Sequence, residues 1–357
     1  MRTSRWWTTS SAAPQDAFWY RAGADVGDCV GLFFVHLFAC DSHMLGDLSS
    51  LFIAVALLYG TAELLLKASI SLAQRIGLTK RVIGLTIVAF GTSAPEIFVC
   101  VVAALEGRQD IAMGNVLGSN IANIGLVLGG AALIRPIHAR RRVLTRDMPL
   151  MLAATVGMLV MAMDGLVGRL DGALLLLGLS VFVVSSIRGD RGYTATGEVE
   201  PVENRVISLP VALCLLLLAL VGIAYAASLL VNSAVAIGQK LGVPDLLIGL
   251  TVVAIGTSLP EAATTWLASI RRHEELGLGN VVGSNIYNIG AVLGLTAILR
   301  PLRVSPSSLR IDMPAALLFG VALIPILATS GRVRRREGLL LIVGYLSYVA
   351  LTYGANI

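Results

Sequence analysis

The strongest constraint on this chain is that it contains one unit twice. Shifted by 165 residues, the stretch from Val82 to Pro149 lies on Leu247 to Pro314 without a gap, and 32 of the 68 positions are identical. An internal repeat decides the architecture before any local reading does, because both copies fold alike. At the heart of each copy is a nine-residue segment, Val88-Ala-Phe-Gly-Thr-Ser-Ala-Pro-Glu96 and Val253-Ala-Ile-Gly-Thr-Ser-Leu-Pro-Glu261. Each sets a glycine, a proline and a charged glutamate in the middle of an otherwise apolar run.

Composition says where such runs can live. With 56% hydrophobic and 14% charged residues, and a mean hydropathy of +0.82, 357 residues cannot keep this much apolar surface inside one water-soluble core. The chain is read as an all-α polytopic membrane protein. Apolar runs of about 20 residues give ten spans, near 50–73, 81–106, 111–134, 145–163, 169–187, 207–238, 246–270, 276–299, 309–329 and 336–355. Five fall in each half. An odd number per copy sends the second copy in from the opposite side, which makes two inverted five-helix repeats, a plan common among secondary transporters. The expected layout is an arm at 1–43, a first repeat at 44–187, a cytoplasmic linker at 188–206 and a second repeat at 207–357. The arm is read as disordered or as an over-long start before Met44, since its run from Cys29 to Cys40 is too short to span and no signal-peptide pattern emerges.

Loop charge orients the spans. The loops after spans 1, 3, 5, 7 and 9 hold 17 Lys and Arg, whereas those after spans 2, 4, 6 and 8 hold 6. Short cytoplasmic loops carry the basic excess, so both termini are expected outside, in a bacterial inner (plasma) membrane. This placement explains the net charge of +5 through lipid and not nucleic acid. The four cysteines show no paired spacing, and Cys100 and Cys214 lie inside apolar spans as small packing residues. The four histidines are scattered and form no transition-metal cluster.

In span 2 the break from Gly91 to Glu96 has an apolar run on each side, Val82–Phe90 and Ile97–Leu105, which puts Glu96 near the bilayer midplane. A carboxylate there costs roughly 2.5–3.5 kcal/mol on insertion scales, and a chain that bears that cost twice has a use for it. Pro95 cannot donate to the carbonyl of Gly91 and opposes a straight helix, so it frees backbone oxygens that only protein, water or an ion can satisfy in lipid. Thr92 and Ser93 lie on the face of Glu96, and Thr257, Ser258, Pro260 and Glu261 repeat the arrangement. After each break comes Gly114-Asn-Val-Leu-Gly-Ser-Asn-Ile-Ala-Asn-Ile-Gly125 or Gly279-Asn-Val-Val-Gly-Ser-Asn-Ile-Tyr-Asn-Ile-Gly290. Asn115, Ser119 and Asn123 form one helical stripe, as do Asn280, Ser284 and Asn288. Glycines four apart on the same helices permit close contact. Carboxylate, hydroxyl, amide and carbonyl oxygen, without thiolate or imidazole, are ligands for hard cations such as Ca²⁺ and Na⁺. The bland reading competes at several positions. Interhelical hydrogen bonds alone could account for Asn115, Asn120, Asn280 and Asn285, and Glu63 with Lys67, four apart in span 1, reads as a self-satisfying pair.

The two Gly-Thr-Ser-x-Pro-Glu segments, each followed by Gly-Asn-x-x-Gly-Ser-Asn-Ile-x-Asn, resemble the α-repeats of the sodium/calcium exchanger branch of the calcium/cation antiporter superfamily, in its prokaryotic form. The resemblance covers the chain from about Leu51 to its end. It implies a ten-helix antiporter, not an enzyme, with Na⁺ and Ca²⁺ as cargo, no cofactor, and no partner beyond the bilayer. It also implies a central metal site lined by Glu96, Glu261, Thr92, Ser93, Thr257, Ser258, the carbonyls of Ala89 and Ala254, Ser119, Asn123, Ser284 and Asn288. Proton-coupled relatives tend to carry Gly-Asn where this chain has Gly91-Thr92 and Gly256-Thr257, which favours Na⁺ as the driving ion. Many relatives, the potassium-dependent ones included, have Asp at the position of Asn288. The alternatives are a Ca²⁺/H⁺ or other cation/H⁺ antiporter and, ranked lower, an ion or water channel.

Overall fold

The structure is a computed structural model that describes residues 42–194, 208–241 and 256–354. The expected arm over 1–41, most of the linker and the first ten residues of span 7 lie outside the described residues. Eleven helices are described. They are α1 (Ser42–Ile76), α2 (Lys80–Thr92), α3 (Ala94–Leu105), α4 (Gln109–Ile134), α5 (Val143–Met161), α6 (Arg169–Thr194), α7 (Leu209–Lys240), α8 (Leu259–Ile270), α9 (Glu274–Leu299), α10 (Ser308–Ser330) and α11 (Arg335–Gly354). Residues from Asp47 onward form one compact unit.

Seven of these helices are long and apolar enough to cross a membrane, and α2 with α3 makes an eighth crossing if the pair, bent by 41°, is one span. This apolar helical chain is a membrane protein. Helix α6 runs to Thr194, so residues 188–194, read as the start of the linker, continue the helix.

Helices α4 and α9 form the interior, with 72% and 89% of their apolar windows buried, against 17% in α1. Their glycines explain how they fit. A methyl built on Gly283 of α9 would sit 2.7 Å from Leu85 O and from Ala89 Cβ, and one on Gly279 would sit 2.6 Å from Arg81 O. Only a bare Cα lets α9 lie this close to α2. Gly290 and Gly294 lie against α6 in the same way, as do Gly125 and Gly129 against α10 and α11. Gly114 and Gly118 have no described atom within 4 Å, and the repeat equivalents of α2 residues 81–89 fall at 246–254, outside the described residues.

Two features were not expected from the sequence. Among the described residues five stretches wind as π-helix, at Gly84–Val88, Asn123–Leu128, Val143–Asp147, Asn288–Leu293 and Ser308–Asp312. Four of them form two pairs separated by 165 residues. Such turns accommodate an extra residue and loosen the backbone ladder where they occur. Two short antiparallel ribbons also tie the halves together. β1 (Ile137–His138) pairs with β4 (Arg332–Val333), and β2 (Leu166–Val167) pairs with β3 (Leu302–Arg303). In the first, Ile137 faces Val333; in the second, Leu302 faces Val167.

Candidate functional site

The site begins with two matching breaks. Ser93 has φ −86° and ψ 4°, and Ser258 has φ −88° and ψ 6°. This bridge-region backbone ends one helix and starts the next. Pro95 and Pro260 follow in the first helical turn, where a missing N–H leaves no bond unmade. Glu96 and Glu261 therefore stand in the first turns of α3 and α8, and the positive end of each helix dipole favours a negative charge there. Both are buried, at 1% and 0% exposure.

The hydrogen-bond partners of Glu261 are neutral hydroxyls. Glu261 Oε1 accepts from Ser93 Oγ at 3.2 Å and from Ser284 Oγ at 3.5 Å. Thr92 Oγ1 lies 3.5 Å from Ser284 Oγ and donates to Asn280 Oδ1 at 3.3 Å. Thr92, Ser93, Ser284 and Glu261 are thus joined across the two halves. Among the described residues, seven buried oxygens of the expected site find no hydrogen-bond partner. They are both oxygens of Glu96, Glu261 Oε2, Ser119 Oγ, Ser258 Oγ, Asn123 Oδ1 and Asn288 Oδ1. Buried polar atoms are satisfied almost everywhere in folded proteins, so these oxygens are positions open to water, a proton or a cation. Among the described residues no group of three or more His, Cys, Asp or Glu is placed to hold a metal ion, and the donors gathered here are carboxylate, hydroxyl and amide oxygens.

Two pairs of cross-braces hold these oxygens. Asn123 Nδ2 donates to Asn285 Oδ1, and Asn288 Nδ2 to Asn120 Oδ1, both at 3.2 Å. Each bond uses the amide nitrogen and leaves the carbonyl oxygen of Asn123 or Asn288 out of it. Thr257 Oγ1 donates to Asn115 Oδ1 at 3.2 Å, the counterpart of the bond from Thr92 to Asn280. Asn115 in turn donates to Cys100 Sγ at 3.2 Å, as Asn280 does to Thr265 Oγ1 at 3.1 Å. Asn115, Asn120, Asn280 and Asn285 therefore do make the interhelical bonds that offered their bland explanation, and their partners are Thr257, Asn288, Thr92 and Asn123. Thr257 is half-buried and spends its hydroxyl on Asn115. The carbonyl of Ala89 accepts from the N–H of Ser93 at 3.0 Å and lies 3.4 Å from Thr92 Oγ1. Ala254 lies outside the described residues.

Three sequence readings are extended or change. Cys100 is packed in the hydrophobic core as expected, and its thiol also accepts from Asn115 and donates to Ala112 O at 3.5 Å. Glu63 does meet Lys67 at 3.3 Å, but Arg271, 208 residues away, reaches it at 2.8 Å and also bonds Tyr59. Arg81, counted as a loop charge, is buried and paired with buried Asp147.

The profile of the family described as sodium/calcium exchanger protein matches residues 48–188 and 211–354. The chain is 36% identical over 311 residues to the inner membrane protein YrbG of Escherichia coli, covering 85% of this chain and 95% of that protein. It is 29% identical to the sodium/calcium exchanger MaX1 of Methanosarcina acetivorans, covering 85% of this chain and 97% of that protein. Among solved structures, the sodium-calcium exchanger NCX_Mj in a Na⁺-soaked crystal superposes with a TM-score of 0.75 at 29% identity, over 86% of this chain and 99% of that one. The fold and the profile define a membrane antiporter. This chain belongs to the sodium/calcium exchanger family.

Proposed function

We propose that this protein is a secondary-active antiporter that exchanges Na⁺ for Ca²⁺ at one cluster near the bilayer midplane. The observation that carries the reading is the set of seven buried, undonated oxygens on Glu96, Glu261, Ser119, Ser258, Asn123 and Asn288. Together with Thr92, Ser93, Ser284 and the carbonyl of Ala89 they form the ion site of this reading, with Thr257 and Ala254 completing it from the second repeat. The chain crosses the membrane ten times in two inverted repeats, 44–187 and 207–357, with α2–α3 as one broken span and α8 as the end of its counterpart. The recurrence of breaks, π-turns, amide bonds and ribbons at a shift of about 165 residues supports that count. The linker, 188–206, is cytoplasmic and both termini are outside, which the arginine bias supports.

Coupling follows from competition. The two carboxylates carry −2, which one Ca²⁺ neutralises, while Na⁺ ions must share the same oxygens. Both loads cannot be held together in a low-dielectric interior. Each crossing of the site between the two faces therefore carries one load or the other, and rocking of one helix group against another exposes it alternately. No cofactor takes part, and the cargo ions are the substrates. Purified protein in sealed vesicles tests this: an outward Na⁺ gradient should drive ⁴⁵Ca²⁺ uptake, whereas uptake that responds to a pH gradient and ignores Na⁺ would make it a cation/H⁺ antiporter.

A further inference from the structure

A one-way chain of hydrogen bonds runs from Thr257 to a backbone carbonyl. Cys100 lies in α3, one turn beyond Glu96, and is wholly buried. Its Sγ stands 3.5 Å from Ala112 O, and a carbonyl cannot donate, so the thiol proton belongs to that contact. The sulfur is left with lone pairs only. It can therefore meet Asn115, 3.2 Å away, only as an acceptor, which turns the amide nitrogen of Asn115 toward Cys100 and its oxygen toward Thr257. That oxygen accepts the hydroxyl proton of Thr257 at 3.2 Å. What Thr257 has left to offer is lone pairs, which is what a hard cation takes from a hydroxyl.

The other half carries the same relay with one different part. Thr92 Oγ1 donates to Asn280 Oδ1 at 3.3 Å, and Asn280 Nδ2 donates to Thr265 Oγ1 at 3.1 Å. Thr265 stands where Cys100 does at a shift of 165 residues. A hydroxyl there can give or take, so it accommodates either orientation of Asn280, whereas the committed thiol admits one orientation of Asn115. Each relay also crosses the repeat, since Asn115 of the first copy holds Thr257 of the second and Asn280 of the second holds Thr92 of the first. Were Asn115 to turn over, its amide N–H would occupy a lone pair of Thr257 and leave the hydroxyl proton to face the cargo. A proton turned toward a cation repels it.

We propose that Cys100 and Asn115 are positioning residues for ion binding, holding Thr257 with its proton turned away from the cation and its lone pairs toward it. This rests on Thr257 being part of the ion site in the exchange reading. Ca²⁺ draws most of its binding from the two carboxylates, while Na⁺ ions depend more on neutral oxygens, so the effect falls mainly on Na⁺. The experiment is equilibrium ⁴⁵Ca²⁺ binding to the full-length protein in detergent, at half-saturating ⁴⁵Ca²⁺ for each variant, with Na⁺ as competitor. Cys100→Ala should raise the Na⁺ concentration that halves binding by about fivefold, the factor lost with one well-oriented neutral contact. Cys100→Ser, which keeps a donor for Ala112 O and an acceptor for Asn115, should restore the wild-type value. In a Thr257→Ala background, Cys100→Ala should have no further effect, because the relay then has nothing to orient. Asn115→Ala takes its place in the same cycle if Cys100→Ala does not fold. Unchanged competition in Cys100→Ala, effects that multiply independently, or a Cys100→Ser protein no better than Cys100→Ala would each overturn the relay. Wild-type ⁴⁵Ca²⁺ binding that ignores Na⁺ fails the exchange reading itself, and the relay with it.

Discussion

Replacing Glu96 by Gln keeps the shape of the side chain and removes one charge from a residue that is 1% exposed and accepts no hydrogen bond at either oxygen. At an effective dielectric of about 20 and a separation of about 4 Å, one unit charge attracts another by roughly 4 kcal/mol. A divalent cation loses about twice what a monovalent one loses, because the interaction scales with its charge. On that estimate Na⁺ binding weakens by about 10³-fold and Ca²⁺ binding by its square, and a small fraction of either figure already stops net exchange. Glu261→Gln removes the same charge and also disturbs the hydroxyls of Ser93 and Ser284 that bond it. The assay is ⁴⁵Ca²⁺ uptake by vesicles loaded with Na⁺, with Ca²⁺/Ca²⁺ and Na⁺/Na⁺ self-exchange measured beside it. Both variants should lose Ca²⁺ uptake, and Ca²⁺/Ca²⁺ exchange should fall further than Na⁺/Na⁺ exchange. A Glu96→Gln protein that exchanges Ca²⁺ at the wild-type rate would show that the charge acts elsewhere.

Other consequences concern individual contacts. Asn288→Asp adds a third carboxylate, so its uptake rate should become sensitive to K⁺ or to pH, whereas wild-type uptake should proceed unchanged when choline replaces all K⁺; a wild-type protein that stops in choline refutes this. Asp147→Asn leaves Arg81 charged in a buried position, a change that typically costs about 3–5 kcal/mol, and thermal unfolding in detergent should show a lowered midpoint. Replacing both partners, Arg81→Met with Asp147→Leu, should recover most of that loss, and no recovery would mean the pair is not what stabilises this corner. Glu63→Gln should leave Ca²⁺ uptake within about twofold of wild type, since its ion pairs with Lys67 and Arg271 involve none of the residues of the proposed ion site.

The parts legible in the sequence are those written in short-range pattern. The apolar runs, the Gly-Thr-Ser-x-Pro-Glu breaks and the glutamates they carry depend on neighbours a few residues away, and the repeat displays each of them twice. The stripes Asn115, Ser119, Asn123 and Asn280, Ser284, Asn288 were readable for the same reason, since a period of four places them on one face. Their partners were not readable. The bond from Asn123 to Asn285 spans 162 residues and that from Thr92 to Asn280 spans 188, and only the folded chain brings such groups together. The π-turn beginning at Asn123 has no composition signal of its own, because the same Asn-Ile-Gly run fits an α-helix equally well. Charge counting placed Arg81 in a loop because it stands beside Lys80, whereas its partner Asp147 is 66 residues away and draws it inside. The links between Glu63 and Arg271 escaped notice in the same way, since an i, i+4 lysine already explained the glutamate.

The central claim is that Na⁺ and Ca²⁺ compete for one set of oxygens and thereby drive each other across the membrane. Vesicles containing the purified protein, loaded with Na⁺ and diluted into Na⁺-free medium with ⁴⁵Ca²⁺, measure this directly. The account predicts rapid ⁴⁵Ca²⁺ uptake that collapses when external Na⁺ is raised to match the internal concentration, at constant pH on both sides. Uptake that is indifferent to the Na⁺ gradient but follows an imposed pH gradient would contradict it.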